Sequence, residues 1–452
     1  MMKLSEASDL LKATFKGEDR GFQSVSTDTR SLVPGALFVA LRGERFDGHD
    51  FLQEAARAGA VAALVESSVG VELADSGLAL LIVPDTKLAL GELARRWRQR
   101  FAIPLIAVCG SNGKTTVKEM IACILRVHFG ETPTLATVGN LNNDIGLPLT
   151  LLRLRPEHRV AVVELGMNHP GETARLAAIA GPTVGVVNNA QREHQEFMKS
   201  VEDVAREHGA LFEALPANGT AVINGDDAYS EYWRRVATAS RLITFAVEHS
   251  ATVQARYHSS GFGFEVELLR DSQSIKFILD AAGVHNVRNA AAAAAAALAA
   301  GVNLSDVAVG LAKFRPVKGR LQRKTGRGGL VLLDDTYNAN PDSVMAAIDV
   351  LADLPPPRIL VLGDMGEVGE RGGAFHADVG AYAKARRIEQ MLCLGELTRH
   401  AVSAFGSGAE HFSDCDALLR RVAESVVQRP AILVKGSRFM RMERVVDYLV
   451  VA

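Results

Sequence analysis

No other stretch constrains this 452-residue chain as much as Gly110-Ser111-Asn112-Gly113-Lys114-Thr115-Thr116. It follows the apolar run Ile103-Pro104-Leu105-Ile106-Ala107-Val108-Cys109 and precedes a helical pattern over residues 117–129. A buried strand that turns through glycines into a helix is the setting a phosphate-binding loop needs. The glycines let backbone N–H groups face phosphate oxygens, and the helix start adds the positive end of its dipole. Lys114 is placed to reach the β/γ-phosphates and the Thr115 hydroxyl to meet Mg²⁺. Val108 stands where the first glycine of the longer G-x-x-x-x-G-K-[ST] form would be, so the pattern here is the shorter G-x-x-G-K-T-T. A purely structural strand-turn-helix is the competing reading, and the motif by itself names no reaction.

The length suits roughly three domains, each able to bury its own core. With 50 Lys and Arg against 52 Asp and Glu, interspersed, the chain carries no basic footprint for nucleic acid or an anionic membrane. Residues 1–20 have no signal-peptide apolar core, and no run approaches the ~18 apolar residues of a membrane span. Cys109, Cys123, Cys393 and Cys415 have neither paired nor metal-site spacing, which fits small core residues in a reducing compartment. A cytoplasmic protein without integral membrane contact is expected.

Periodicity divides the chain into an N-terminal segment, 1–84, a central one, 85–314, and a C-terminal one, 315–452. The first mixes strands at 36–41, 62–65 and 80–84 with a helix at 51–58. A helix over 87–101 leads into the phosphate-loop strand. Strands at 160–163 and 184–187 alternate with a helix at 172–180, the signature of a mostly parallel sheet. Residues 290–300 are nearly all alanine and read as a closely packed helix between Asn289 and Gly301. A small antiparallel hairpin region is expected over 256–279. Four apolar strands at 330–334, 358–362, 391–394 and 431–434 then begin a second α/β cycle with ligand-facing loops at their carboxyl ends. The fold class is therefore α/β in three domains: a small α/β N-terminal domain, a central P-loop ATPase domain on a mostly parallel sheet, and a Rossmann-like C-terminal domain.

Several polar groups stand at strand ends. Glu164 closes one strand beside the phosphate loop, where carboxylates serve magnesium; a helix-capping or surface Glu is the alternative, weakened by its apolar neighbours. His194 follows Asn188-Asn189-Ala190 after the next strand and is either a hydrogen-bonded structural residue or a site residue. Asn286 and Asn289, at i and i+3, suit capping of the alanine helix or presentation of amides to a purine. Asp334-Asp335-Thr336-Tyr337-Asn338-Ala339-Asn340-Pro341 enters a helix at Pro341 and offers carboxylates and amides suited to ribose and adenine. Lys318-Gly319-Arg320 and Lys435-Gly436-Ser437-Arg438 place cations on glycine turns, as solvated surface or as anion clamps.

Together these stretches resemble the Mur ligases, the ATP-dependent amide-bond ligases that build the peptidoglycan stem peptide, over the whole chain. The resemblance implies ATP and Mg²⁺ as cofactors, with Lys114 and Arg320 on phosphates, Gly110, Ser111, Asn112, Gly113, Thr115 and Thr116 in the loop, and Thr115, Glu164 and His194 binding or orienting magnesium. It further implies adenosine contacts from Asn286, Asn289, Asp335 and Asn338, and catalytic roles for Lys114, Glu164, His194 and Arg320. Thr27, Asp28 and Arg30, with Gly43 and Asp47 in the turn 43–49, resemble the family's UDP-sugar turns. Asn140-Leu-Asn-Asn-Asp-Ile-Gly-Leu-Pro148, Asp334–Pro341 and Leu362-Gly-Asp-Met-Gly-Glu-Val-Gly369, with Lys435, Ser437 and Arg438, resemble the branch whose amine is a dipeptide; the resemblance implies substrate contacts from Asn142 and Asn143 and reception of the dipeptide by residues 364–367, Lys435, Ser437 and Arg438. The implied substrates are UDP-N-acetylmuramoyl-tripeptide and D-alanyl-D-alanine, the implied route an acyl phosphate, and a monomer is expected. The Asp-Asn-Pro-Arg motif of the diaminopimelate-adding branch is absent. An amide ligase with another amine, and an ATP-driven switch protein, are the rival readings.

One position departs from the family. His208 stands where the family usually has a lysine, carbamoylated to carry a second magnesium. An imidazole forms no such carbamate, so a second metal must be held otherwise, less firmly or not at all. The site is still expected to work, with Lys114, Glu164 and one magnesium neutralising most of the charge.

Overall fold

A computed structural model describes residues 1–44, 46–68, 77–237 and 241–450. Beside a two-stranded pairing of Met2–Lys3 with Gly21–Phe22, three larger sheets follow one another along the chain, built mostly from short buried strands and covered by helices. The first has five strands in the spatial order Thr14–Lys16, Ala79–Val83, Ala62–Glu66, Ala36–Val39 and Ser24–Ser26. It is parallel except for its Thr14–Lys16 edge. The helix expected at 51–58 forms as a 3₁₀ turn, Gly48–Phe51, running into Leu52–Arg57. A further helix, Leu4–Leu11, has no counterpart in the sequence reading.

The helix Thr86–Arg98, capped by Asp85, carries the chain into the second domain. There nine strands form one sheet. Leu105–Cys109 lies third from one edge, between Val184–Val187 and Val160–Glu164, with parallel pairing on both sides. All five residues of Leu105–Cys109 and of Val160–Glu164 are buried, as expected of parallel strands covered on both faces. The expected hairpin region is three strands, Val253–Ser260, Gly263–Arg270 and Gln273–Leu279, and it extends the main sheet at one edge rather than standing apart.

The alanine-rich segment is indeed a helix, but it begins at Val284 and ends at Ala299. Asn286 and Asn289 therefore lie inside its first turns, and neither caps it. Alanines 290–297 are completely buried between the sheet and the helix Lys114–Phe129. Methyl side chains let backbones approach closely, and a larger residue among them would overpack the layer at a cost of about 1–3 kcal/mol.

The third domain has six strands in the order Gln322–Thr325, Val331–Asp335, Ala431–Lys435, Arg358–Gly363, Gln390–Leu394 and Ala409–Phe412, of which only the first is antiparallel. The two edge strands escaped the sequence reading because they are short and partly polar. The helix expected at Pro341 spans Pro341–Ala352, with Asn340 and Ser343 forming a reciprocal capping box. No described helix is long and apolar enough to cross a membrane.

Candidate active site

Parallel strands in an open sheet present their carboxyl ends to one edge, and crevices form where strand order reverses. In the central sheet that edge carries the turn after Cys109, Glu164 at the end of its strand, and the Asn188-Asn189 turn. The third domain faces it with the ends of Val331–Asp335 and Ala431–Lys435. Between them lies a cleft of about 590 Å³.

The phosphate loop is shaped by partners on the neighbouring strand end. Ser111 N–H donates to the Asn189 carbonyl, and Asn112 N–H to the Asn189 side chain. Gly113 holds φ at 82°, and a Cβ there would stand 2.5 Å from the Asn289 side-chain oxygen, so the turn requires glycine. Asn289 is fixed in return by the Asn188 amide at 2.9 Å. The pair at i and i+3 is thus a brace linking the alanine helix to the loop. Asn286 donates to the Ala282 carbonyl at 2.7 Å, and Asn289 to Asn286 at 3.1 Å.

Lys114 folds back over its loop. Its Nζ donates to the carbonyls of Gly110 at 2.6 Å and Ser111 at 3.1 Å, and lies 3.2 Å from Glu193 Oε2. Glu193, beside the expected His194, carries no sequence motif of its own. It is buried, and burial alone would raise its pKa; Lys114, the His208 hydrogen bond and His194 outweigh that and hold it at about 2. Glu193 is thus ionised.

Glu164 is buried too. One oxygen accepts from the Asn142 amide at 2.7 Å, while the other has no partner although it belongs to the cleft wall. Gly166 makes room for Asn142, since a Cβ there would fall 2.7 Å from its amide carbon. An uncommitted oxygen on a buried carboxylate is costly unless a cation meets it, so the residues fit a magnesium ion. Thr115 and His194 line the same cleft. Among the described residues no group of three or more His, Cys, Asp and Glu side chains is arranged to hold a metal ion. Few protein ligands, with phosphates and water completing the shell, is how magnesium is held at phosphoryl-transfer sites.

Polar contacts seat the third domain on this edge. Arg320 donates to the Thr115 hydroxyl at 3.0 Å and lies 4.0 Å above the Tyr337 ring. Asn112 and Asn340 exchange amide hydrogen bonds at 2.9 and 3.3 Å. Arg192 grips Asp342 through its guanidinium at 2.6 Å and its backbone N–H at 2.8 Å. His194 Nδ1 lies 2.6 Å from Glu367 Oε2, out of line for a hydrogen bond.

Of the residues singled out from sequence, Ser111, Asn112, Gly113, Lys114, Thr115, Thr116, Asn142, Asn143, Glu164, His194, Asn286, Asn289, Arg320, Asp335, Asn338 and Lys435 line the cleft. Gly110 contributes its carbonyl to Lys114. Lys435 is committed differently from the expectation: it is buried, 2.6 Å from Asp335 and 3.0 Å from the Asn338 carbonyl, so it neutralises the carboxylate assigned to adenosine. Ser437, also buried, accepts from Gly366 N–H at 2.7 Å and donates to the Ala339 carbonyl. That pins the loop it was expected to share with a dipeptide. Arg438 turns outward to Glu443, away from the cleft wall.

Thr27, Asp28, Arg30, Gly43 and Asp47 lie in the first domain, outside that wall. Asp28 and Arg30 form an exposed ion pair, and the Arg30 fork holds the Asp28 carboxyl at about 2. Asp47 caps the turn into Gly48–Phe51; hydrogen bonds from His49 and Arg42 outweigh its burial and hold it at about 2. Gly43 N–H closes the same turn on the Phe46 carbonyl at 2.9 Å, while residue 45 of the turn lies outside the described residues.

Comparison with known proteins gives a uniform picture. The family model of the Mur ligase family catalytic domain matches residues 22–98, that of the Mur ligase middle domain 108–297, and that of the Mur ligase glutamate ligase domain 319–438. The chain is 42% identical to the UDP-N-acetylmuramoyl-tripeptide–D-alanyl-D-alanine ligase of Escherichia coli (strain K12), covering 99% of this chain and 98% of that one. The enzyme of the same name from Bacillus subtilis (strain 168) is 33% identical, over 98% and 97% of the two chains. Among solved structures, MurF from Acinetobacter baumannii superposes with a TM-score of 0.90 at 32% identity over 98% and 97% of the chains. MurF ligase from Thermotoga maritima in complex with ADP gives 0.81 at 25% identity, over 97% of each.

Proposed function

The chain belongs to the Mur ligase family, and from that premise we propose that it joins D-alanyl-D-alanine to UDP-N-acetylmuramoyl-tripeptide at the cost of ATP. The observation that carries this reading is the shared cleft, which the phosphate loop and Glu164 of the central domain line together with Arg320 of the third, whose guanidinium donates to the Thr115 hydroxyl.

A carboxylate resists attack because its charge is delocalised and oxide leaves poorly. Transfer of the γ-phosphoryl group of ATP turns that oxygen into a phosphate leaving group. Lys114 and Arg320 are suited to offset the charge on the transferring group, one from the loop and one from the opposing domain. Magnesium, when bound, supplies further neutralisation of the phosphate oxygens, and Thr115, Glu164 and His194 are the residues placed to hold or orient it. Asn286, Asn289, Asn338 and Asp335, the last steadied by Lys435, are assigned to the adenosine. The dipeptide amine then attacks the acyl phosphate as the neutral base; an α-amino pKa near ~8 leaves an adequate fraction at neutral pH. Holding three reactants together converts two encounters into positioned steps.

We assign the first domain, 1–84, to the UDP-sugar through its turns at 26–30 and 43–49, the ATP to 85–314, and the dipeptide to 315–452 with part of the ATP. The third-domain loop 364–367 is the candidate for dipeptide contact, as are Asn142 and Asn143 for the tripeptide end. A cytoplasmic monomer is part of the proposal, since ATP and a nucleotide-linked substrate are both used.

Product mass tests the reading. With UDP-N-acetylmuramoyl-tripeptide, ATP and D-alanyl-D-alanine, the product should weigh the sum of the two peptides less one water, with ADP and phosphate released in step. Lys114→Ala should abolish it. ATP turnover without a new amide, or an equal rate with other amines, would overturn the assignment.

A further inference from the structure

Glu193 is buried on the cleft wall with both carboxylate oxygens engaged. It sits in the loop between the strand Val184–Val187 and the helix Val201–Glu213. Its two oxygens have separate tasks. Oε1 lies 2.7 Å from His208 Nε2 on that helix, while Oε2 stands 3.2 Å from Lys114 Nζ and 3.7 Å from His194 Nε2. An ionised carboxylate only accepts, so His208 Nε2 is the donor. The His208 ring is fully buried and its Nδ1 has no hydrogen-bond partner, which leaves holding Glu193 as the one polar task of its side chain.

Stability alone is a poor reason for this arrangement, because a buried charged group seldom outperforms a well-packed apolar one. Phosphate binding alone is a poor reason too. A fixed anion on the wall of a phosphate site repels the phosphates and competes for Lys114, unless a cation stands between the two anions. Glu164, a second carboxylate on the same cleft, has an oxygen without a partner.

We propose that Glu193, held in place by His208, is an acidic arm of the divalent-cation site, presenting Oε2 to the cation that accompanies the nucleotide phosphates. The inference rests on the ATP-dependent reading and specifies how the charge of that site is balanced.

It has a consequence with a sign. Glu193→Gln keeps the shape and removes the charge, so ADP binding without magnesium should tighten by a few-fold. The gain in affinity that magnesium confers should shrink by about tenfold or more, the usual cost of losing a metal-site partner. A merely structural residue would move both affinities the same way. The experiment is calorimetric titration of the full chain with ADP, in EDTA and in saturating MgCl₂. His208→Phe, which removes the donor, should show the magnesium-dependent loss, and His208→Gln, which keeps an N–H, should retain most of the parent's response. If His208→Phe does not fold, Glu193→Gln and His208→Gln decide the matter. Parallel changes in both conditions, or none in either, would overturn the proposal. Normal magnesium-dependent ADP binding in a chain that forms no amide would instead sink the ligase assignment and leave this inference standing.

Discussion

His194 of the central domain and Glu367 of the third meet at 2.6 Å, and both hold left-handed backbone, with φ of 47° and 57°. Such conformations cost non-glycine residues of order 1 kcal/mol or more each and persist where surrounding structure enforces them. The His194 contact leads the effects that hold the Glu367 carboxyl below its ordinary value, ahead of its burial, which opposes them. The contact thus joins two strained turns from facing domains. Glu367→Gln should leave the fold intact and reduce the closed population. Because apparent affinity falls with the fraction of competent molecules, the KM for ATP should rise several-fold with a smaller change in kcat. Unchanged KM, with scattering profiles identical to the parent's, would show that the contact does not support closure.

Arg320 depends on shape as well as charge. It lies over the Tyr337 ring while donating to Thr115, an arrangement a planar guanidinium can hold and an ammonium cannot. Arg320→Lys should therefore lower kcat by about 10²–10³, the usual cost of removing one aimed donor from a charge-stabilising site. Circular dichroism would check that the fold is retained. A lysine variant with near-parental kcat would reduce Arg320 to a domain contact.

Acid should destabilise the protein in two windows. Burial, against the pull of Asp335 and with help from Lys435 and Arg288, pushes the His285 imidazole down to about 4, and burial also lowers His376. A histidine kept neutral in the fold stabilises it fully above its unfolded pKa near ~6.5, and that contribution is lost as pH falls from there toward the folded value. His376 receives the Met365 N–H on one ring nitrogen and faces the Gly372 carbonyl with the other, so a second proton would break the first bond. Glu193 works lower: its contribution is present above the ordinary glutamate range and is lost as pH falls toward about 2. The melting temperature should fall between pH 6.5 and 4, and less steeply for His285→Gln. Parallel curves for parent and variant would contradict the assignment.

Carbon dioxide should not matter. Carbamate formation needs an unprotonated primary amine, and the buried residue at 208 is an imidazole. Activity measured in buffers stripped of bicarbonate should equal that with bicarbonate restored, and intact mass should show no labile adduct. Rescue by bicarbonate would refute this.

The chain's local chemistry was legible from its residues. Strand, glycine turn and helix around Lys114, the Asn340-Pro341 helix start and the parallel-strand periodicity all depend on neighbours a few residues apart. Errors fell where that local signal is weak: the alanine helix begins at Val284 because its first turns are tied by side chains rather than marked by a cap, and two edge strands carry too little apolar pattern to stand out.

Pairing across the cleft was not legible. Lys435 and Asp335 are 100 residues apart, Lys114 and Glu193 79, Arg320 and Thr115 205. The sequence by itself determined three α/β units, the phosphate loop and the supply of charged groups, because backbone geometry and burial period are local properties. Only the tertiary structure decided which charges meet, setting Lys435 against Asp335 and burying Glu193 beside Lys114 and His208. Strand order in a parallel sheet sets which loop ends lie side by side, and Coulomb energy at a few ångströms depends on that adjacency rather than on distance along the chain.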